Sequence, residues 1–331
     1  MKKQMACILA LVMLCGLLTA CSAGTAGETD SKGGTTAPAT AGNTQNADPA
    51  PAEGVILMED TRNQDGIGEN ELLIVSFGTS YYDSRREDIG AIEDALTAEF
   101  YENWSARRAF TSQTVIDIVQ ERDGLTIDSL NDALGRAAAN GVRNLVLQPT
   151  HLLDGFEYNE IYGEIMGWTA DFEQIAIGFP LLTTEEDFNA VADAIVEATK
   201  QYDDGETAIC FMGHGTEAAI NSAYEHLQET LDGKGMENYF IGTVEAYPAV
   251  EDVLGAVQQG SYKRVVLRPL MVVAGDHANN DMAGDEEDSW KSIFEAAGYE
   301  VECVIEGLGR LEAIQQIYIA HAQEAIDSLE Q

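Results

Sequence analysis

The chain has 331 residues, 45% of them hydrophobic, and a formal net charge of −39 at pH 7. That length suffices for two domains with real cores, and the charge excludes duplex DNA or RNA as a partner, because binding either needs cationic neutralisation of phosphates. An acidic surface instead keeps a protein soluble and gathers cations around it.

The first 20 residues stand apart. Lys2 and Lys3 precede an almost wholly apolar run from Ala6 to Leu18, too short to span a bilayer and typical of a secretory signal. It ends in Leu18-Thr19-Ala20-Cys21, which resembles a bacterial lipobox. The resemblance implies cleavage before Cys21, lipidation of its thiol and a protein anchored outside the cytoplasm without spanning the membrane. Loss of Lys2 and Lys3 would make the mature chain more acidic still. Residues 21–60, rich in Gly, Ala, Thr, Ser and Pro, read as a flexible tether that cannot fold alone. Of the five cysteines, Cys7 and Cys15 leave with the signal and Cys21 carries lipid. Cys210 and Cys303 remain, in strand-like runs, and are expected to be core thiols rather than a disulfide.

From Glu71 the pattern is globular. Leu72–Phe77 is an apolar strand closed by Gly78-Thr79-Ser80, and a helix is expected from about Ser84 to Tyr101. Arg107–Phe110 is a second strand, followed by a helix capped by Thr111 or Ser112, and Asp128 is expected to cap another that Gly141 stops. Val142–Leu147 and Gln174–Ile177 are further strands, with a helix to about Trp168 between them. A helix from Thr184 to Gln201, with Asp187 three residues after its cap, opens the second half. Strands then fall near Ala208–Met212, Tyr239–Val244, Arg264–Leu267 and Glu300–Ile305, and a last helix covers Leu311–Leu329. Alternation with short connections predicts α/β folding: two similar doubly wound parallel sheets, residues 70–182 and 183–331, with the last helix free to pack back on the first domain.

The halves read as copies. Val75-Ser76-Phe77-Gly78-Thr79 aligns with Met212-Gly213-His214-Gly215-Thr216, and Val146–Pro149 with Val266–Pro269. Phe77 then stands opposite His214, Gly155 opposite Gly275 and Glu157 opposite His277. A duplication of this kind implies a cleft between similar domains.

Three candidate ligands follow strands of the second half: His214, Glu245 and His277. The carboxyl ends of parallel strands converge on one edge, where open α/β sheets bind ligands. Two imidazoles and a carboxylate suit Co2+, Ni2+, Fe2+ or Zn2+. Asp276 and Asp281 are placed to orient the imidazoles. Ser76, Thr79, Ser80, Tyr82 and Arg85, at the end of the first strand, could bond carboxylates of a bound ligand, and His151 faces the expected cleft from the first domain. His226 and His321 lie within helices and read as packing residues.

The stretches Leu73–Thr79, Arg108–Ser112, Phe211–Gly215, Val244–Pro248 and Pro269–His277, continued through Asp288-Ser289-Trp290-Lys291, resemble the anaerobic-type sirohydrochlorin cobaltochelatases, the CbiK family. The resemblance implies a two-domain class II chelatase fold and insertion of Co2+ into sirohydrochlorin on the route to cobalamin, with no organic cofactor. The metal-binding His, Glu and His of that family fall on His214, Glu245 and His277. A cleft that bends the macrocycle would expose its nitrogen lone pairs while His214 and His277 take up protons or pass the metal in. Sirohydrochlorin is a cytoplasmic compound, so the export signal keeps a second reading open: a surface protein that binds metal or a tetrapyrrole, haem-like ones included, for uptake without turnover. The residues leave the oligomeric state open, a homo-oligomer included.

Overall fold

The computed structural model describes residues 60–329. The signal, the tether and Cys7, Cys15 and Cys21 lie outside the described residues. Two four-stranded parallel sheets carry the architecture. The first joins β1 (Asn70–Ser76), β2 (Ser105–Phe110), β3 (Asn144–Pro149) and β4 (Gln174–Ile177) in the order β2-β1-β3-β4. The second joins β5 (Thr207–Gly213), β6 (Tyr239–Thr243), β7 (Arg264–Pro269) and β8 (Glu300–Cys303) in the order β6-β5-β7-β8. The two orders are the same, and the repeat read in the sequence holds in three dimensions. Gly78 and Gly215, one residue into the loops after β1 and β5, both take positive φ, at 97° and 88°.

In a strand, alternate residues face opposite sides. Leu73, Val75, Leu145 and Leu147 build the outer core of the first lobe under α4 (Leu130–Asn140) and α5 (Phe156–Ile165). Ala208, Cys210, Met212, Val265 and Leu267 build that of the second lobe under α8 (Val250–Val257) and α9 (Trp290–Ala296). The opposite faces, Leu72, Ile74 and Val146 in one sheet and Ile209 and Phe211 in the other, join one shared core. It is completed by α2 (Gly90–Phe100), α6 (Glu185–Thr199), α7 (Ser222–Gly233) and α10 (Glu312–Leu329). The last helix packs against β3, β4, α2 and α6, so the end of the chain crosses back to the first sheet.

Several local signals differ from the sequence reading. Ser129, not Asp128, caps α4: its Oγ accepts the Asp132 N–H. Asp128 is buried and bound to Arg136 and Arg107, since a partly desolvated guanidinium competes better for the carboxylate than a helix end does. The segment after Thr79 is not one regular helix. A single turn, α1 (Tyr82–Ser84), leads into a π-helical turn, Arg85–Ile89, before α2. Thr184 and Asp187 form the expected reciprocal cap of α6. Cys210 and Cys303 are both free. Leu267 of β7 lies between them in register, so they sit two strands apart, about 10 Å, beyond disulfide reach.

The first sheet also buries charge. Arg107 of β2 meets Glu71 at 2.6 Å, and Arg108 meets Glu93 at 2.6 Å. Burial pushes the Glu71 carboxyl up to about 7 against the pull of Arg107. At the cleft end, Tyr318 of α10 is fully buried and donates to the carbonyls of Thr150 (3.0 Å) and His151 (3.2 Å), fixing the chain as it leaves β3. Tyr318→Phe strips the Thr150 carbonyl of this donor and leaves the His151 carbonyl only the Leu181 N–H, and urea denaturation should show a loss of about 1–3 kcal/mol.

Candidate metal centre

β5 ends in Gly213-His214-Gly215, a turn that only small residues permit. A Cβ at Gly213 would lie 2.2 Å from the Tyr224 ring. Gly215, besides its positive φ, would meet Ala246 N and Thr243 at 2.9 Å. The Tyr224 hydroxyl accepts the Gly215 N–H at 3.3 Å, and the His214 carbonyl accepts the Glu245 N–H at 2.9 Å. The segment after β6 is thereby tied to the segment after β5, and Glu245 is set beside His214. His277 arrives from β7 by a loop, Leu270–Asp276, and stands just before a second π-helical turn, Ala278–Met282.

The ligand atoms of His214, Glu245 and His277 lie within 4.8 Å of one another. His214 Nε2 is 3.4 Å from Glu245 Oε2, and the two imidazole rings are centred 4.6 Å apart. Two ligands at a tetrahedral angle on bonds of about 2.1 Å stand about 3.4 Å apart, so the cluster is near the spacing a divalent ion needs. All three side chains keep solvent access, 42%, 56% and 35% exposed respectively, so an ion can reach them. His277 Nδ1–H donates to Asp281 Oδ2 at 2.7 Å, which leaves Nε2 as the ligating nitrogen. That hydrogen bond is the main cause holding the His277 pKa above its usual value; burial opposes it. Asp276 does not touch the ring. It accepts from Tyr81 (3.3 Å) and Asn280 (2.8 Å) and adds to the negative field around His277.

The trio forms one wall of a cleft of about 550 Å³ that both lobes line. Thr79, Ser80 and His151 line it from the first lobe. His151 is only 8% exposed, neither ring nitrogen has a hydrogen-bond partner, and burial pushes its pKa down to about 4. It is a neutral ring in the wall. Three residues expected at the cleft are elsewhere. Ser76 is buried against Thr150, 2.7 Å away. Arg85 is fully buried, paired with Asp123 at 3.0 Å and donating to the carbonyl of Ser80. Tyr82 lies under the Arg85 and Arg86 guanidiniums. Arg85 opens the π-helical turn and its side chain enters the first lobe, while Tyr82, in the single turn before it, stays half-buried. Among the described lining residues there is no lysine or arginine.

The sequence reading left out two cleft residues. Glu157, at the start of α5, faces the trio from the opposite lobe. It stays exposed to solvent in the cleft; partial desolvation there raises its pKa, and His214 and His277 pull it down. Its register opposite His277 in the repeat was the available signal. Tyr224 is buried behind the His214 turn, and nothing in its helical surroundings marked it.

Two parallel-sheet lobes around a cleft, with a His/Glu/His cluster on one wall, define the class: a chelatase-type fold with a site for a divalent ion. SirB from Bacillus subtilis, solved with Fe3+, has this fold, with a TM-score of 0.56 and 12% identity over 80% of this chain and 98% of that one. Residues 70–327 match the cobalt chelatase (CbiK) family, and the chain belongs to it. Sirohydrochlorin cobaltochelatase of Salmonella typhimurium is 36% identical over 256 residues, 77% of this chain and 96% of that protein. The cobaltochelatase CbiKC of Nitratidesulfovibrio vulgaris is 29% identical over 261 residues, 78% of this chain and 91% of that one.

Metal must displace the proton from His277, so affinity falls as pH drops through its raised pKa. Removing the carboxylate with Asp281→Asn lowers that pKa. The acid limb of a Co2+ affinity–pH profile, followed by the cobalt absorption bands, should therefore move to lower pH in the variant. The same profile at alkaline pH should show weaker affinity, because the ring has lost its orienting acceptor.

Proposed function

We propose that this chain inserts Co2+ into sirohydrochlorin. The observation that carries the reading is the meeting of His214, Glu245 and His277 within 4.8 Å on the wall of an apolar cleft. Insertion exchanges two pyrrole N–H protons for one Co2+, so the site must present the ion and accept protons at one place. The two imidazoles and Glu245 hold the substrate ion at the wall. Glu245 offsets part of its charge. An imidazole bound to the ion cannot take a proton at the same nitrogen, so the proton needs another acceptor. Glu157, outside the cluster, can take the first proton across the cleft, its proton affinity raised by partial desolvation there, and the second passes to an imidazole once the ion has moved to the macrocycle. Leu152, Leu153, Leu270 and Val272 line the space between and exclude water from the macrocycle face. Thr79, Ser80 and the ring of His151 border the same space, where Thr79 and Ser80 can bond the macrocycle's edge while both His151 nitrogens stay buried. Ni2+, Fe2+ and Zn2+ suit the same donors.

The leader supports export and lipidation at Cys21. That feature also favours the second reading, a surface carrier that binds the ion or the macrocycle without turnover. Mixing the purified protein with sirohydrochlorin and Co2+ separates the two. Accelerated conversion of the macrocycle's absorption bands, lost by at least about a hundredfold in His214→Ala, is the expected result. Tight binding of either component with no acceleration would leave the carrier, and full activity of His214→Ala would remove the site assignment. Incorporation of labelled fatty acid by the wild type, lost in Cys21→Ala, checks the anchor.

A further inference from the structure

His277 reaches the site on a loop, and a loop alone does not hold an imidazole to a fraction of an ångström. What fixes it comes from the other lobe. Ala274, three residues before His277 and fully buried, has both backbone polar groups taken by the turn that precedes α2. The Asp88 carboxylate accepts the Ala274 N–H at 2.9 Å, and the Ser84 hydroxyl donates to the Ala274 carbonyl at 2.7 Å. Asp88 is itself fully buried and also accepts Arg310 Nε at 2.6 Å and the Gly307 N–H. The 307–309 backbone lies directly on it: a Cβ on Gly307 would stand 2.6 Å from Asp88 Oδ2, and one on Gly309 2.4 Å from the Asp88 carbonyl. Leu308 and Gly309 donate in turn to Met271 and Val272, at the start of the His277 loop. The π-helical turn Arg85–Ile89 is what presents Asp88 here, 186 residues away from its Ala274 partner. Such turns inside helices recur at functional sites.

We propose that Asp88 is a positioning residue for metal binding: held at three segments, it locks the loop of one lobe to the turn of the other and so sets where His277 meets the ion. This rests on the reading that His214, Glu245 and His277 hold the metal. The proposal makes the cleft wall of the first lobe part of the second lobe's metal centre. Asp88 acts through Ala274 and touches neither ion nor macrocycle.

The test titrates the full chain with Co2+ alone, without tetrapyrrole, and follows the cobalt absorption bands. Asp88→Asn keeps the shape but supplies one acceptor where the carboxylate has two, and should weaken Co2+ binding about tenfold or more, as supporting groups of metal ligands do. In chelation it should lower kcat and leave KM for the macrocycle within about twofold. Added to His277→Ala, it should cost little further affinity, because both changes remove one contribution. Glu71→Gln, a buried ion-pair variant at the far end of the first sheet, should lower Tm and leave Co2+ affinity unchanged. If Asp88→Asn does not fold, Ser84→Ala, which removes the first lobe's donor to the Ala274 carbonyl and leaves it only the longer bond from Asn279 (3.4 Å), carries the test and should weaken binding about threefold or more. Wild-type affinity in Asp88→Asn, or in Ser84→Ala when that variant stands in for it, would overturn the inference alone. A wild type that binds no Co2+, or a His277→Ala variant that binds it as well, would overturn the metal-site reading and the inference together.

Discussion

The geometry of the centre follows from one constraint, the placement of β5 between β6 and β7 in a parallel sheet. Parallel neighbours stand about 4.8 Å apart and end on the same edge. The residue that follows each strand therefore begins within about one strand spacing of the next. His214 leaves the central strand and Glu245 leaves the strand on one side, and the imidazole of His277 returns from the strand on the other. The pairings Gly213 with Thr243 and Met212 with Pro269 set the register of that edge. An antiparallel neighbour would send one of the three to the opposite end of the lobe. The sheet brings the three segments to one edge, and the loop after β7 completes the approach that leaves the two imidazoles centred 4.6 Å apart.

The electrostatics of the cleft favour the cation at every point. Glu245, Glu157, Asp276 and Asp281 surround two imidazoles, and among the described residues no lysine or arginine lines the walls. The arginines of the first lobe are spent inside it: Arg85 on Asp123, Arg107 on Glu71 and Arg108 on Glu93. Burying a guanidinium with its carboxylate costs desolvation that only close pairing offsets, so none of these can be lent to a ligand. A macrocycle bearing carboxylates would then meet the cleft through its apolar face, with its acids toward water. Concentration of the metal and burial of an apolar ring are separate jobs here, done by different walls.

Much of this was legible in the chain. Parallel direction and the alternation of strands with helices follow from alternating apolar runs and short connections, and Gln174–Ile177 was located to the residue. His214 and Glu245 stood out because each comes within two residues of a strand's end, and His277 because it stands three residues beyond the apolar run that extends β7 to Ala274. The interior of the first lobe was less legible. Arg85 follows a loop rich in hydroxyls and reads as a cleft residue, but it opens a π-helical insertion and its guanidinium is taken by Asp123 inside the first lobe. Nothing in Tyr82–Ile89 signals that insertion, because the hydrogen bonds that stabilise it come from Ala274, Gly307 and Arg310. Asp128 escaped for a similar reason, its partners lying on β2 and on the helix it precedes. Local pattern reports what a segment can form alone, and these segments take their shape from distant ones.

The repeat shows why, among the described residues, one lobe has the His/Glu/His cluster and the other has no counterpart. Phe77 occupies the place of His214, and Glu157 that of His277, on the same backbone frame with the same positive-φ glycine after it. Replacing an imidazole by a phenyl ring removes a ligand and adds an apolar surface; Phe77 is 47% exposed and lines the cleft. Replacing the other imidazole by a carboxylate keeps a proton acceptor facing the ion. Two copies of one unit, closed face to face, give a metal wall opposite a wall that is apolar except where a proton has to go. Such a division works only while the walls keep their distance, and that distance is held by the shared core, by α10 crossing back to β3 and by the Asp88 contacts across the lobes. A duplicated fold that let its halves move independently would keep both walls and lose the register between them.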